Sequence, residues 1–342
     1  MKSVKIIGGG FSGLWSALLL LKRGYDVDLI ETNYIGYGAS SKAAGILSFQ
    51  LPENILNISL RSVELYNSLG NNILHWYDSI WIPRNEEYQC ALNILRYLNN
   101  KGFKAEIIEK NEVDGFLLDS KGLLISQPTV DIGKAINELS RSIVNNGGRI
   151  LNNDNNKKYD IVIYTNGPWI ENDLKLNGLI KYKCQAYSVE GKQINKIIED
   201  DIMEFYYVPE SSHRAIIGNG KRVLLNNPED GFLTDNSEVY SILSKLAKKY
   251  KEAFHMYPIS SWSAPCLTTC DGYPIVGKIS NNNYALSGLN GAGLTLSAGL
   301  SEVLVKIIEG ELEQPEFLDP LRFKKRCKNI IEIFDNICIN RK

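Results

Sequence analysis

The N-terminal stretch "SVKIIGGGFSGLWSALLLLKRGYDVDLIE" constrains the fold more than any other part of the chain. An apolar run, a glycine cluster, a longer apolar run, Gly24 and a second apolar run ending on Glu31 read as strand, tight turn, helix and strand. That is one βαβ half of a doubly wound sheet. Gly8, Gly10, Gly13 and the distal Glu31 have the spacing of a dinucleotide-binding fingerprint. Gly8 permits the turn, Gly10 lets the backbone approach a pyrophosphate, and Gly13 lets the helix pack close on the strand. The phosphates would meet the free N–H groups of the helix N-terminus, and Glu31 would accept hydrogen bonds from a ribose. A tight turn without a ligand would satisfy the glycines alone, but the agreement of strand, helix and distal acid favours a cofactor. The motif leaves FAD and NAD open.

At 342 residues the chain is long enough for two domains. Lys and Arg number 38 against 39 Asp and Glu, so no overall field would draw nucleic acid or an anionic membrane, and neither is an expected partner. The longest uncharged apolar run, residues 14–21, falls short of the ~20 residues of a membrane helix, and no signal peptide is read. Cysteines 90, 184, 266, 270, 327 and 338 are scattered rather than grouped as a disulfide framework, which gives the cytoplasm as the expected location. His75, His213 and His255 have no zinc-ligand spacing, so no metal is expected.

The pattern divides the chain discontinuously. Residues 1–50, 126–178 and 258–342 are expected to form a doubly wound, Rossmann-like α/β domain. Residues 51–125 and 179–257 are expected to form a mostly antiparallel α+β domain. Apolar spacing over 52–101 reads as helical, broken at Pro83, and suggests a covering layer. "YDIVIYTNGPW" reads as a buried strand closing on a glycine turn, and residues 235–253 as a charged helix.

GGGFSG at 8, LIE at 29, GASSKAAGI at 38, DIVIYTNGPW at 160, YYVP at 206, TCDGYPIVG at 269 and GLNGAG at 288 occur in an order that resembles the superfamily of D-amino-acid oxidase, glycine oxidase and sarcosine oxidase. The resemblance spans nearly the whole chain and implies FAD as the cofactor. It implies that Phe11 and Ser12 offer backbone N–H groups to the pyrophosphate and that Glu31 and Thr32 hold the adenosine end. Ser40, Ala44, Gly45 and Ile46 would pass along the phosphates, ribityl chain and ring, and Gly167 would lie near the nucleotide half. Gly291, Ala292, Gly293 and Leu294 would open the last helix, whose positive end favours an anionic reduced flavin. The family's usual adenine-contacting meander is missing at 149–160, where Ile150 and Leu151 remain as contributors.

The stretch "WSAPCLTTCDGYPIVG", from residue 262, raises the question of substrate. The resemblance places Cys266, Thr269, Asp271, Pro274 and Gly277 along the path from substrate pocket to flavin. Where amino-acid-oxidising members commonly carry a carboxylate-clamping arginine, this chain has Cys266, which cannot form a bidentate pair. Arg214, Arg84 and Lys42 are candidate replacements, although each also fits a solvated surface charge. Three states of Cys266 stay open: a covalent bond to FAD, a Cys266–Cys270 disulfide, and a plain buried thiol. Tyr206 matches a tyrosine that points into the substrate cavity, and equally fits a core aromatic.

The expected activity is FAD-dependent oxidation of an amine or amino acid by hydride transfer to flavin N5, with Tyr206, Cys266 and Arg214 on the substrate side. Oxygen or an electron-accepting partner would reoxidise the flavin, and homo- or hetero-oligomers fit either case. The alternatives are a flavin subunit of a heteromeric dye-linked dehydrogenase and a flavin-binding protein without turnover.

Overall fold

The computed structural model describes residues 1–154 and 157–325. Cys327 and Cys338 lie outside the described residues.

The chain begins with β1 (Ser3–Ile7), α1 (Phe11–Lys22) and β2 (Asp26–Ile30). It continues through α2 (Glu53–Asn67), β3 (Leu74–Ile82), α3 (Tyr88–Asn100), β4 (Ala105–Ile108), β5 (Gly122–Val130), α4 (Ile132–Asn145), β6 (Arg149–Leu151) and β7 (Ile161–Tyr164). The second half carries β8 (Leu179–Glu190), β9 (Ile197–Asp200), β10 (Phe205–Pro209), β11 (Arg214–Gly218), β12 (Val223–Leu224) and α5 (Glu238–Lys249). It ends with β13 (Tyr257–Thr269), β14 (Ile275–Lys278), β15 (Asn283–Ser287) and α6 (Gly293–Glu309).

Six strands form the first sheet in the order β14-β15-β7-β1-β2-β6, all neighbours parallel except the β14–β15 pair. Its strands are apolar on both faces because helices cover both. α1 is buried along most of its length and touches α6 through small side chains, with Ser16 Oγ 3.1 Å from Ser301 Oγ. A Cβ on Gly299 would fall 2.4 Å from the Ile58 carbonyl oxygen, so α6 and α2 meet at a separation only glycine allows.

The second sheet has nine strands, in the order β12-β8-β11-β10-β9-β3-β5-β4 with β13 added alongside β8, and β3–β9 is its one parallel pair. The α/β class with a second, mostly antiparallel sheet is therefore as expected. One expectation fails. The segment 52–101 is not helical throughout, because β3 runs through its middle, paired with β5 and β9. "LHWYDSIWI" is aromatic and β-branched, and two sheet partners outweigh its apparent helical spacing. The strand alternation also sorts charge. Asp200 faces α5 and pairs with the buried Lys249 at 2.8 Å, while its neighbours Glu199 and Asp201 point to the other side.

β13 links the two sheets. It pairs with β8 along nearly its whole length, and beyond Thr269 the chain turns into β14 of the first sheet. Arg322 fixes that turn by gripping Asp271 with two hydrogen bonds of 2.8 and 2.9 Å, and Tyr273 N donates to the same carboxylate.

Candidate active site

A cavity of about 940 Å³ lies between the two sheets. One side is the β1–α1 turn, the end of β2, the 37–46 loop and the start of α6. The other is a face of the second sheet. That volume sits at the upper end of ligand pockets, ~300–1,000 Å³, enough for a large cofactor and a small substrate together.

The first side is built as a cradle. Gly8 has φ +107°, and a Cβ there would fall 2.7 Å from the Asn166 backbone. A Cβ on Gly13 would fall 1.9 Å from the Gly8 carbonyl oxygen, so Gly13 serves packing and does not itself line the cavity. α1 has no side-chain cap at Gly10, and α6 has none at Ala292, so two helix N-termini present unsatisfied N–H groups to one space. The Glu31 carboxylate is positioned by Gly9 N (2.8 Å) and Asn33 N (3.0 Å) at the end of β2. Ser40 Oγ accepts from Phe11 N at 3.0 Å. Gly8, Gly10, Phe11, Ser12, Glu31, Thr32, Ser40, Ala44, Gly45, Ile46, Gly167, Gly291, Ala292, Gly293 and Leu294 all line the cavity. Asn166 Oδ1 and Asn290 Oδ1, also on its walls, are buried without a hydrogen-bond partner. Glycine turns, uncapped helix ends, a distal carboxylate and orphaned acceptors around one space suit FAD.

On the facing sheet the register lines up the substrate side. Tyr182 lies opposite Cys266, Cys184 opposite Ala264 and Ala186 opposite Trp262, and all six line the cavity because strand side chains alternate. Trp262 Nε1 donates to the Lys42 carbonyl at 2.8 Å and so ties this sheet to the cradle loop. Cys184 and Cys266 are diagonal neighbours on the paired strands, and each thiol perturbs the other. The Cys266 thiol and then the Arg222 charge hold Cys184 below its ordinary pKa, while the Cys184 contact and burial push Cys266 well above it. Tyr206 lies opposite Glu199 on one side and Gly218 on the other, and burial raises its phenol pKa. The Arg222 guanidinium sits 5.6 Å from the Tyr182 ring centroid and lines the same wall.

Further along, the cavity wall is acidic. Gln127 Nε2 (2.8 Å), Ser79 Oγ (3.4 Å) and Gln50 Nε2 all approach Glu199 Oε2 and not Oε1, and Glu199 lines the cavity. Trp81 Nε1 donates to Asp201 Oδ2 at 2.7 Å. Burial raises the Glu199 pKa to about 7 and that of Asp201 to about 6, and burial also raises Glu87. Arg84, on the same wall, is 3.6 Å from Glu204.

Several expectations need correction. Arg214 does not reach the cavity: it starts β11 at the far end of the sheet, its side chain is exposed, and it lies 3.9 Å from Glu190. Arg222, in the turn between β11 and β12, lines the cavity instead. Lys42 and Arg84 do line the cavity, whereas Ile150 and Leu151 do not. Leu151 instead accepts a backbone hydrogen bond from Glu31. Cys266 is a free thiol and Cys270 is disulfide-bonded, so the Cys266–Cys270 disulfide does not form. Tyr206 and Cys266 line the cavity. The carboxylates of "IIEDD" were missed, although three consecutive acids directly after an apolar strand start were the available signal. Among the described residues no group of three or more His, Cys, Asp or Glu could hold a metal ion, and no helix is long and apolar enough to cross a membrane.

Comparisons with known proteins agree with this geometry. Gamma-glutamylputrescine oxidoreductase of Escherichia coli (strain K12) is 22% identical over 91% of this chain and 84% of its own length. The crystal structure of L-proline dehydrogenase from P. horikoshii matches with TM-score 0.83 at 19% identity, over 94% of this chain and 98% of that one. Glycine oxidase from Geobacillus kaustophilus matches with TM-score 0.75 at 18% identity, over 96% of this chain and all of that one, 100%. The profile of the DAO family, FAD dependent oxidoreductase, matches residues 3–307, nearly all of the chain that builds the cradle and its facing wall. The chain therefore belongs to the DAO family of FAD-dependent oxidoreductases.

Proposed function

We propose that the protein oxidises a primary or secondary amine, as a free amine or an amino acid, at the carbon next to nitrogen. The observation that carries this reading is that one cavity joins the FAD cradle to a wall bearing Tyr206, Arg222 and the Glu199 carboxylate. FAD bound in the cradle supplies the acceptor, at N5, for the hydride that leaves the α-carbon, and the imine released hydrolyses in water.

The chain's own residues hold the substrate. Tyr206 forms a wall and carries a phenol that stays protonated and can donate a hydrogen bond. Arg222 anchors an anionic group of the substrate in place of the arginine absent at 266, and its setting over Tyr182 suits a planar guanidinium. The Trp262 contact to the 37–46 loop closes the cavity between the sheets and helps keep water from the reacting carbon. The relatives named above, a γ-glutamylputrescine oxidoreductase, an L-proline dehydrogenase and a glycine oxidase, support this reading.

Anaerobic mixing of the purified yellow protein with a panel of amines and amino acids tests it. Bleaching of the flavin by at least one amine is the expected result. Arg222→Met should raise the KM of carboxylate-bearing substrates about 30-fold or more, as expected when one partner of a charge pair is lost, and the exposed Arg214→Met should not. A flavoprotein that no amine or amino acid bleaches would overturn the proposal.

A further inference from the structure

The cavity has an end that oxidation of a simple monoamine does not use. Glu199 and Asp201 project from one strand edge into it, Glu87 lines it from the start of α3, and Arg84 is the cation near them. Arg84 also lies beside Glu204. Three carboxylates against one guanidinium leave this end net negative.

Two observations turn an acidic cluster into a site. Gln50 is only 8% exposed, lines the cavity, and its Oε1 has no hydrogen-bond partner. Its Nε2 donates to Glu199, so flipping the amide would set Oε1 against that carboxylate, and the orientation is fixed. All three donors to Glu199 converge on Oε2, which leaves Oε1 available. The end thus carries two carboxylate acceptors at the cavity and, behind them, an enclosed amide oxygen that no donor meets. An ammonium, with three donors and a positive charge, is the complement. A compact metal ion is not, since no three acidic or sulfur groups among the described residues converge as ligands.

We propose that Glu199 and Asp201, backed by the buried Gln50 amide, form a subsite for a second, non-reacting ammonium of the substrate, so that the preferred substrates are diamines or amines with a distal cationic arm. This rests on the amine-oxidising reading above. The carboxylates are left raised in pKa by burial when nothing neutralises them, as expected of a site completed by a cation.

The test is equilibrium binding to the FAD-loaded protein under anaerobic conditions, followed by calorimetry. The probes are α,ω-diaminoalkanes of three to six carbons, each against the n-alkylamine of equal length. At least one diamine should bind about tenfold or more tightly than its monoamine, the scale of a desolvated charge pair. That ratio should fall to about threefold or less in Glu199→Gln, which keeps an oxygen for Gln50, Gln127 and Ser79, and in Asp201→Asn, which keeps an acceptor for Trp81. FAD content reports whether each variant has folded, and the second variant serves if the first has not. Equal affinity for diamines and monoamines in the wild type would overturn the subsite, as would a diamine preference that survives in both variants. The oxidative reading falls separately, by the absence of any flavin bleaching.

Discussion

Tyr206 lies against Gly218, its cross-strand partner, so closely that a Cβ on Gly218 would fall 2.3 Å from Tyr206 Oη. The glycine is the seat on which the phenol rests. Because Glu199 occupies the opposite side of Tyr206, the ring has no room to slide along the sheet, and any side chain at 218 pushes it toward the cavity.

Gly218→Ala should therefore lower kcat/KM and cost about 1–3 kcal/mol of stability through overpacking. In a Tyr206→Ala background the same substitution should cost little, because the clash is gone, and a double-mutant cycle by urea denaturation measures that coupling. Additive effects would show that the phenol does not rest on Gly218.

Gly13→Ala should release the cofactor. Its Cβ would fall 1.9 Å from the Gly8 carbonyl oxygen, a backbone atom that cannot move aside without lifting α1 from β1. Gly133→Ala is the contrast: the nearest atom to its Cβ is Asp131 Oδ1 at 3.8 Å, and on α4 it should stabilise by about 0.5–1 kcal/mol through helix propensity. Flavin absorbance of the two purified proteins, with thermal unfolding, decides the matter.

The cradle was legible in the sequence because its requirements are local. Gly8, Gly10, Gly13 and Glu31 are tied to one βαβ unit, where close backbone approach admits only glycine. The substrate wall was less legible. Its members come from β8, β9, β10 and β13, and only strand register shows that Cys184, Cys266 and Tyr182 share a face. Arg214 and Arg222 are eight residues apart and equally plausible on paper. The turn between β11 and β12 decides that only Arg222 reaches the cavity. β3 was misread for the same reason, since its strand character comes from β5 and β9, which the local pattern does not reveal.

The two cavity thiols should react in a fixed order. Cys184 is held below its ordinary pKa by the neighbouring Cys266 thiol and by Arg222, so it carries more thiolate. Cys266, held well above, is a poor nucleophile. Alkylation of the apo-protein with iodoacetamide near neutral pH, read by peptide mapping, should mark Cys184 first. Acid precipitation of the holoprotein should leave the flavin in the supernatant, because Cys266 is unsuited to hold it covalently. Colour retained in the pellet of wild type, and lost from that of Cys266→Ser, would reverse the assignment.

The pH dependence of stability should carry the signature of Glu199. Its ordinary value is 4.5, and burial, with the charge of Asp201, raises it to about 7 against the hydrogen bonds from Gln127, Gln50 and Ser79, which pull it down. A carboxyl raised on folding holds its proton more tightly in the native state, so its stabilising contribution is complete below about 4.5 and is lost as pH rises through about 7. The size of that loss is on the order of 3 kcal/mol, from about 1.4 kcal/mol for each pKa unit. Asp201, raised to about 6, acts in the same direction. Glu199→Gln removes the titrating group while keeping an acceptor for its donors. Urea denaturation of the apo-protein at intervals from pH 5 to pH 8 should show the variant gaining on the wild type as pH rises, with most of the change between pH 5 and 7.5. Two parallel curves would mean that Glu199 is already ionised at pH 5. The carboxylate would then have to be neutralised within the folded chain, and the charge left over for a substrate cation would be correspondingly smaller.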